Sequence, residues 1–146
     1  FRHNNIGFNY RMTNLSAALG LAQLEQISFF LDKKYEIYKH YVKVFQNSTS
    51  FKILSSPPYS QSNYWLNILI IKNLNIDRNI ILKKLIKNNI NVRPIWYPNH
   101  LQKPFKIFQI FKTNKVKKLT DRAICLPSSS FLSLSDIKKI YYILHK

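Results

Sequence analysis

Glycine is scarce: the chain has two in 146 residues, Gly7 and Gly20. A phosphate-cradling glycine loop needs several closely spaced glycines, so that way of binding nucleotides is excluded. Acid is nearly as scarce, with six Asp and Glu against 23 Lys and Arg. No close carboxylate pair offers itself for general acid–base work. The one cysteine, Cys125, excludes an internal disulfide. It lies among Ala123, Ile124 and Leu126 and reads as a small buried hydrophobe. There is no nucleophile elbow and no cysteine–histidine motif. The four histidines, His3, His40, His100 and His145, are far apart. Glu36 and His40 stand one helical turn apart, but a single such pair reads as a surface contact, so no metal site is expected. The apolar runs Ile68 to Ile71 and Ile140 to Leu144 fall far short of the about 20 residues that cross a bilayer.

The imbalance leaves a formal net charge of +17. Charge of this size raises the possibility of nucleic-acid binding. The lysines, however, are spread singly and in pairs. The densest group, Lys112, Lys115, Lys117 and Lys118, has no interleaved stacking aromatics and no recognisable binding motif. Lys, Ile and Asn are all abundant, which reads as compositional drift with lysines on solvated faces. No specific nucleic-acid partner and no membrane partner is expected.

What is present is core material. Hydrophobic residues make up 46% of the chain, enough for one ordinary domain or a piece of a larger protein. The chain begins at Phe1 with no secretory leader pattern, and it reads as a cytoplasmic fragment. Residues 1–12 read as loop. From Asn14 to about Gln46 no proline interrupts a helical pattern roughly 50 Å long at 1.5 Å per residue. Its first half is rich in small residues, with Leu15, Ala18, Leu19 and Ala22 on one face. Its second half carries a stripe of Leu31, Tyr35, Tyr38, Val42 and Phe45, expected to be core.

Beyond the helix, Ser55, Ser56, Pro57 and Pro58 lie in a loop after a short strand at Phe51 to Leu54. Tyr64 to Ile71 reads as a central strand, and Asp77 as the cap of a helix to about Asn88 with Ile81, Leu82, Leu85 and Ile86 inward. Asn91 to Trp96 reads as the next strand, with Pro94 marking an edge because it has no N–H for a ladder. Phe105 to Phe111 reads as a short helix and Lys115 to Arg122 as another. Ala123 to Leu126 is a strand ended by Pro127. Ser133 or Ser135 caps a last helix to Leu144, with Ile137, Ile140, Tyr141 and Leu144 on one face. Strand–helix–strand units of this length are α/β building blocks.

The densest polar constellation is Gly7-Phe8-Asn9-Tyr10-Arg11-Met12-Thr13-Asn14-Leu15. An amide, a phenol and a guanidinium on a loop feeding a helix N-terminus suit an anion. The simpler reading is a helix capped by Thr13 or Asn14. Asn9-Tyr10-Arg11-Met12, followed by Ala17-Ala18-Leu19-Gly20 and Ala22-Gln23-Leu24-Glu25, closely resembles a signature of the DegT/DnrJ/EryC1/StrS family of sugar aminotransferases. Arg93-Pro94-Ile95-Trp96-Tyr97-Pro98-Asn99-His100 is similar to that family's substrate-side loop, and Leu126-Pro127-Ser128-Ser129 to its segment before the last helix.

The resemblance covers nearly the whole chain and matches the C-terminal part of a family member. It implies the small α+β domain of an aspartate-aminotransferase-like pyridoxal 5'-phosphate enzyme, with a sheet of about three to four strands flanked by helices. Residues 1–46 would be a loop and long helix linking the large and small domains, and 47–146 the small domain. The large cofactor-holding domain would lie outside this chain. The implied activity is amination of a nucleotide-linked keto-sugar by an amino-acid donor, for surface polysaccharide or related glycans, in a homodimer with a shared active site.

By the same resemblance Asn9 would reach the cofactor phosphate across the dimer, and Tyr10, Arg11, Trp96, Tyr97 and His100 would face substrate. Arg11 reads equally as a structural salt bridge. Trp96 and Tyr97 read equally as the end of a strand in the core, with His100 capping a turn. A dehydratase of the same family, with histidine in place of the Schiff-base lysine, and a non-catalytic basic binding module are the alternatives. No lysine here matches the family's Schiff-base context, so no catalytic residue is assigned and the chain alone is expected to be inactive. Borohydride reduction of the chain with pyridoxal phosphate, followed by peptide mapping, should therefore give only scattered low-level lysine labelling. One dominant stoichiometric site would refute this.

Overall fold

A computed structural model describes residues 2–146. Two helices come first, α1 (Asn14–Leu24) and α2 (Ile27–Phe45). Thr13 caps α1, its Oγ1 accepting from the Ser16 N–H at 3.2 Å. The single long helix expected from Asn14 to Gln46 is in fact broken. At Glu25 and Gln26 the ladder tightens, and the Gln26 N–H donates to the Gln23 carbonyl three residues back. Neither proline nor glycine marks the break, which explains why composition did not show it.

A four-stranded sheet follows, made of β1 (Phe51–Ile53), β2 (Asn67–Ile71), β3 (Arg93–Pro94) and β4 (Ala123–Leu126), in the order β1-β2-β4-β3 and antiparallel throughout. Helix α3 (Arg78–Lys87) joins β2 to β3. These two strands run the same way, but β4 lies between them. The strand–helix–strand unit is therefore split, and the domain is α+β. Strand β3 is an edge, as Pro94 requires. It is shorter than expected, because Asn91, Val92, Ile95 and Trp96 lie outside the ladder. Strand β2 also begins later than expected. Tyr64 has a left-handed backbone, φ 50°, and its ring packs against Tyr35 and Tyr38 of α2 instead of extending the strand.

The core lies between one sheet face and α2, α3 and α5 (Leu134–His145). Leu69, Ile71 and Ile124 from the sheet meet Leu85 of α3 and Ile137 and Ile140 of α5. Burying each such side chain is worth about 1.5–3 kcal/mol. Helix α2 docks with Ile37, Tyr41 and Phe45. The stripe expected to be core is only partly so: Phe45 is buried and Tyr38 half-buried, but Leu31, Tyr35 and Val42 are exposed. The face that packs on α5 and β1 is rotated from the one marked by the largest residues. In α3, Ile81, Leu82 and Leu85 are buried as expected, and Ile86 is exposed.

The helix ends are made by local chemistry. Asp77 caps α3 through the Asn79 and Ile80 N–H groups. At the other end of α3, Asn89 is left-handed at φ 59°, and the Ile90 N–H donates to the Leu85 carbonyl at 3.0 Å. That is a Schellman ending, with Ile90 and Leu85 buried in the same core. Ser133 and Asp136 form a reciprocal capping box at α5. Its hydrogen bonds hold the Asp136 carboxyl below the usual carboxylate range. Phe105 to Phe111 does not form the expected helix. Two short turns, Asn99–Leu101 and Lys103–Phe105, precede an irregular stretch, and a short helix α4 (Val116–Thr120) leads into β4.

Tyr41 has no exposed surface, and its hydroxyl donates to the Pro127 carbonyl at 2.9 Å. Tyr41→Phe should cost about 1 kcal/mol for the lost neutral hydrogen bond. Tyr41→Ala should cost about 3–5 kcal/mol, the range for removing a buried aromatic ring. Denaturant midpoints of the three forms check both values, and equal midpoints for wild type and Tyr41→Phe would refute the first.

Candidate functional site

Side-chain alternation along an antiparallel sheet decides which residues can meet a ligand. Asn67, Leu69 and Ile71 of β2 point to the helices, so Ile68 and Ile70 point away. Ile68 stands opposite Cys125, and Cys125 opposite Arg93. That row lies on the sheet face away from the helical core. A cleft of about 290 Å³ opens there, lined by Trp65, Asn91, Arg93, Trp96, Cys125 and Ser128 among others. The two indoles lie 5.5 Å apart between ring centroids, tilted by 40°. Trp96 is 44% exposed, so it does not finish a strand in the core. Burial pushes the Cys125 thiol up, and the charge of Arg93 partly opposes this.

The Pro127–Ser128 corner of the cleft is held from behind. Tyr41 donates to the Pro127 carbonyl, Lys34 to the Ser128 carbonyl, and the Asn67 amide to Ser128 Oγ at 2.9 Å. Asn67 is buried, and its Oδ1 has no partner among the described residues. Burial also lowers the Lys34 ammonium below its ordinary value.

Tyr97 and His100 are half-buried in the turn beyond Trp96. Gln102, also buried, braces this turn by donating to the Tyr97 carbonyl and to Asn99 Oδ1, both at 3.0 Å. Its Oε1 accepts from the His3 N–H at 2.9 Å, and the Arg2 guanidinium lies 4.7 Å from the Tyr97 ring centroid. The start of the N-terminal loop is thus strapped to the Trp96–His100 turn, joining two segments about a hundred residues apart in sequence.

Asn9, Tyr10 and Arg11 lie further along that loop and are exposed, Tyr10 at 85%. Among the described residues no hydrogen bond ties their side chains to Tyr97 or His100, and Arg11 forms no ion pair. Helix α1 after them has no buried residue, and Leu15, Leu19, Leu21 and Leu24 are all exposed. Sequence reasoning did not assign Trp65, Asn91 or Gln102 to the site, nor a role to Arg93 by itself. Their placement comes from sheet register and a loop brace, which no local pattern reports.

The model of the DegT/DnrJ/EryC1/StrS aminotransferase family matches residues 1–145. The chain belongs to this family. It is 30% identical over 148 residues to EpsN of Bacillus subtilis (strain 168), by name a pyridoxal phosphate-dependent aminotransferase, covering 99% of this chain and 38% of EpsN. It is 36% identical over 139 residues to GDP-perosamine synthase of Escherichia coli O157:H7, covering 95% of this chain and 36% of the synthase. The fold superposes on DesI, solved with its TDP-sugar product, with a TM-score of 0.81 at 18% identity, over 91% of this chain and 35% of DesI. The chain therefore spans little more than a third of the length of these family members. The resemblance read from the three motifs is borne out, as is the α+β fold with its four-stranded sheet.

Cys125 is buried and its thiol is raised above the ordinary value. At pH 8 it should react with a maleimide far more slowly in the folded chain than in the unfolded one. Equal rates in the two states would contradict the burial.

Proposed function

We propose that this chain is the C-terminal portion of a pyridoxal-phosphate-dependent aminotransferase acting on a nucleotide-linked keto-sugar, in amino-sugar biosynthesis for surface polysaccharide or related glycans. The observation that carries this is the family match across residues 1–145, with Asn9, Tyr10 and Arg11 on an exposed loop entering α1. Residues 1–46 would link a large domain to the small domain of residues 47–146. The large domain would supply the lysine and the acid that hold the cofactor. The whole protein would be a cytoplasmic homodimer with a shared active site. Among the described residues no helix is long and apolar enough to cross a membrane.

The residues present fit the cofactor's phosphate. When bound, pyridoxal phosphate supplies the electron sink that lets an amino group pass between carbon skeletons. Asn9 offers amide N–H donors to a phosphate oxygen without adding charge. Arg11 offers a fork suited to the substrate's phosphates. Tyr10, Trp96, Tyr97 and His100 complete the substrate side. The exposed apolar face of α1 fits burial against the large domain or a second copy, because single helices rarely leave this many leucines in water.

Asn9→Ala in the full-length enzyme should weaken cofactor affinity by roughly tenfold to a hundredfold, the loss expected for a hydrogen bond to a charged group. Folding should change little, since Asn9 is an exposed loop residue. Mixing Asn9→Ala subunits with subunits lacking the cofactor lysine tests the geometry. Action across the dimer predicts one site with both defects and one intact site in each mixed dimer. Mixed dimers with two damaged sites, or unchanged cofactor affinity in Asn9→Ala, would refute the assignment.

A further inference from the structure

The turn that carries Tyr97 and His100 has little backbone bonding to hold it. Pro98 and Pro104 bring no N–H donors. Within the turn the Leu101 N–H donates to the Pro98 carbonyl at 3.0 Å and the Gln102 N–H to the Asn99 carbonyl at 2.9 Å. The rest of its shape depends on one side chain. Gln102 is 5% exposed, and its amide folds back across the turn. Its Nε2 donates to the Tyr97 carbonyl and to Asn99 Oδ1, each at 3.0 Å. Its Oε1 accepts from the His3 N–H at 2.9 Å, from 99 residues away in sequence. The Tyr97 carbonyl can only accept and the His3 N–H can only donate, so one amide orientation alone satisfies both. From His3 to the Thr13 cap, no other hydrogen bond among the described residues anchors the N-terminal loop.

We infer that Gln102 is a positioning residue, which holds Tyr97 and His100 and the segment leading to Asn9 in one frame. The inference rests on the aminotransferase reading above, in which Asn9 meets the cofactor and Tyr97 and His100 face the substrate. Gln102 does not line the cleft and has almost no surface for a ligand to touch. Its effect passes through the groups it holds. A buried amide is costly unless its hydrogen bonds are made, so neither segment can drift from it freely. Cofactor side and substrate side therefore share a tether.

The test uses the full-length enzyme with two substitutions. Gln102→Met keeps the length and burial of the side chain but makes none of the three hydrogen bonds. Gln102→Glu keeps the acceptor for His3 and offers at most one donor to two waiting oxygens. Amide hydrogen exchange, read by peptide mass, follows both segments without any need for activity. Gln102→Met should speed exchange about tenfold in residues 2–12 and in residues 96–102 together, and Gln102→Glu in 96–102 alone. The KM for a nucleotide-linked keto-sugar, taken from GDP-, UDP- and dTDP-linked forms, should rise about tenfold in Gln102→Met. The KM for the amino donor should stay within about twofold, and pyridoxal phosphate should bind about threefold to tenfold more weakly. In a Tyr97→Ala, His100→Ala background the same substitution should raise the sugar's KM by less than about twofold, because the side chains it positions are gone. If Gln102→Met fails to fold, Gln102→Glu should still show faster exchange in the turn together with the raised sugar KM.

Exchange that rises in only one segment of Gln102→Met would overturn the inference. So would a lowered melting temperature with every KM unchanged, which is the mark of a merely structural brace. A full loss of about tenfold in the Tyr97→Ala, His100→Ala background would overturn it as well. A wild-type enzyme that aminates none of the keto-sugars would instead defeat the function proposed above, and exchange in the two segments would then decide the shared tether alone.

Discussion

The antiparallel pairing of β2 with β4 is the constraint on which the other features depend. Its register places Leu69 opposite Ile124, on the side where α2, α3 and α5 gather. The same register places Ile68 opposite Cys125, and β3 extends that row to Arg93. A slip of one residue in a strand would send that strand's core side chains to the outer face. Core and cleft are therefore two sides of one hydrogen-bonded ladder. Neither can move without the other.

The helical layer reinforces that ladder and also fixes the cleft. Buried Tyr41 and half-buried Lys34 reach from α2 to the carbonyls of Pro127 and Ser128, and Asn67 reaches Ser128 from β2. The corner that bounds the cleft is thereby tied to the most buried part of the fold. A buried donor that lost its acceptor would pay the full cost of desolvation, so these contacts resist drift. The second brace, Gln102, is separate. It ties the Trp96–His100 turn to the N-terminal loop.

Charge is distributed by the same economy of acid. With six acidic residues against 23 basic ones, most lysines lack a carboxylate partner and stay solvated. The exposed ion pairs Lys33–Glu36 and Lys117–Asp121 add little to stability. Arg93 differs from the lysines in lying on the cleft that Trp65 and Trp96 also line.

Sequence alone determined the features that depend on neighbours in the chain. The cap at Asp77, the edge role of Pro94, the buried Cys125 and the strand Ala123 to Leu126 were legible, and the other two caps were narrowed to Thr13 or Asn14 and Ser133 or Ser135, because each rests on a local hydrogen bond or a local run of side chains. The Asn-Tyr-Arg and Trp-Tyr-His segments were legible as motifs for the same reason. Only the tertiary structure decided which face of α2 is buried, where the long helix breaks, that β4 separates β2 from β3, and that Trp65 and Arg93 share a cleft. Those outcomes depend on contacts between segments far apart in the chain, and periodicity shows that an element has a face without saying what will cover it.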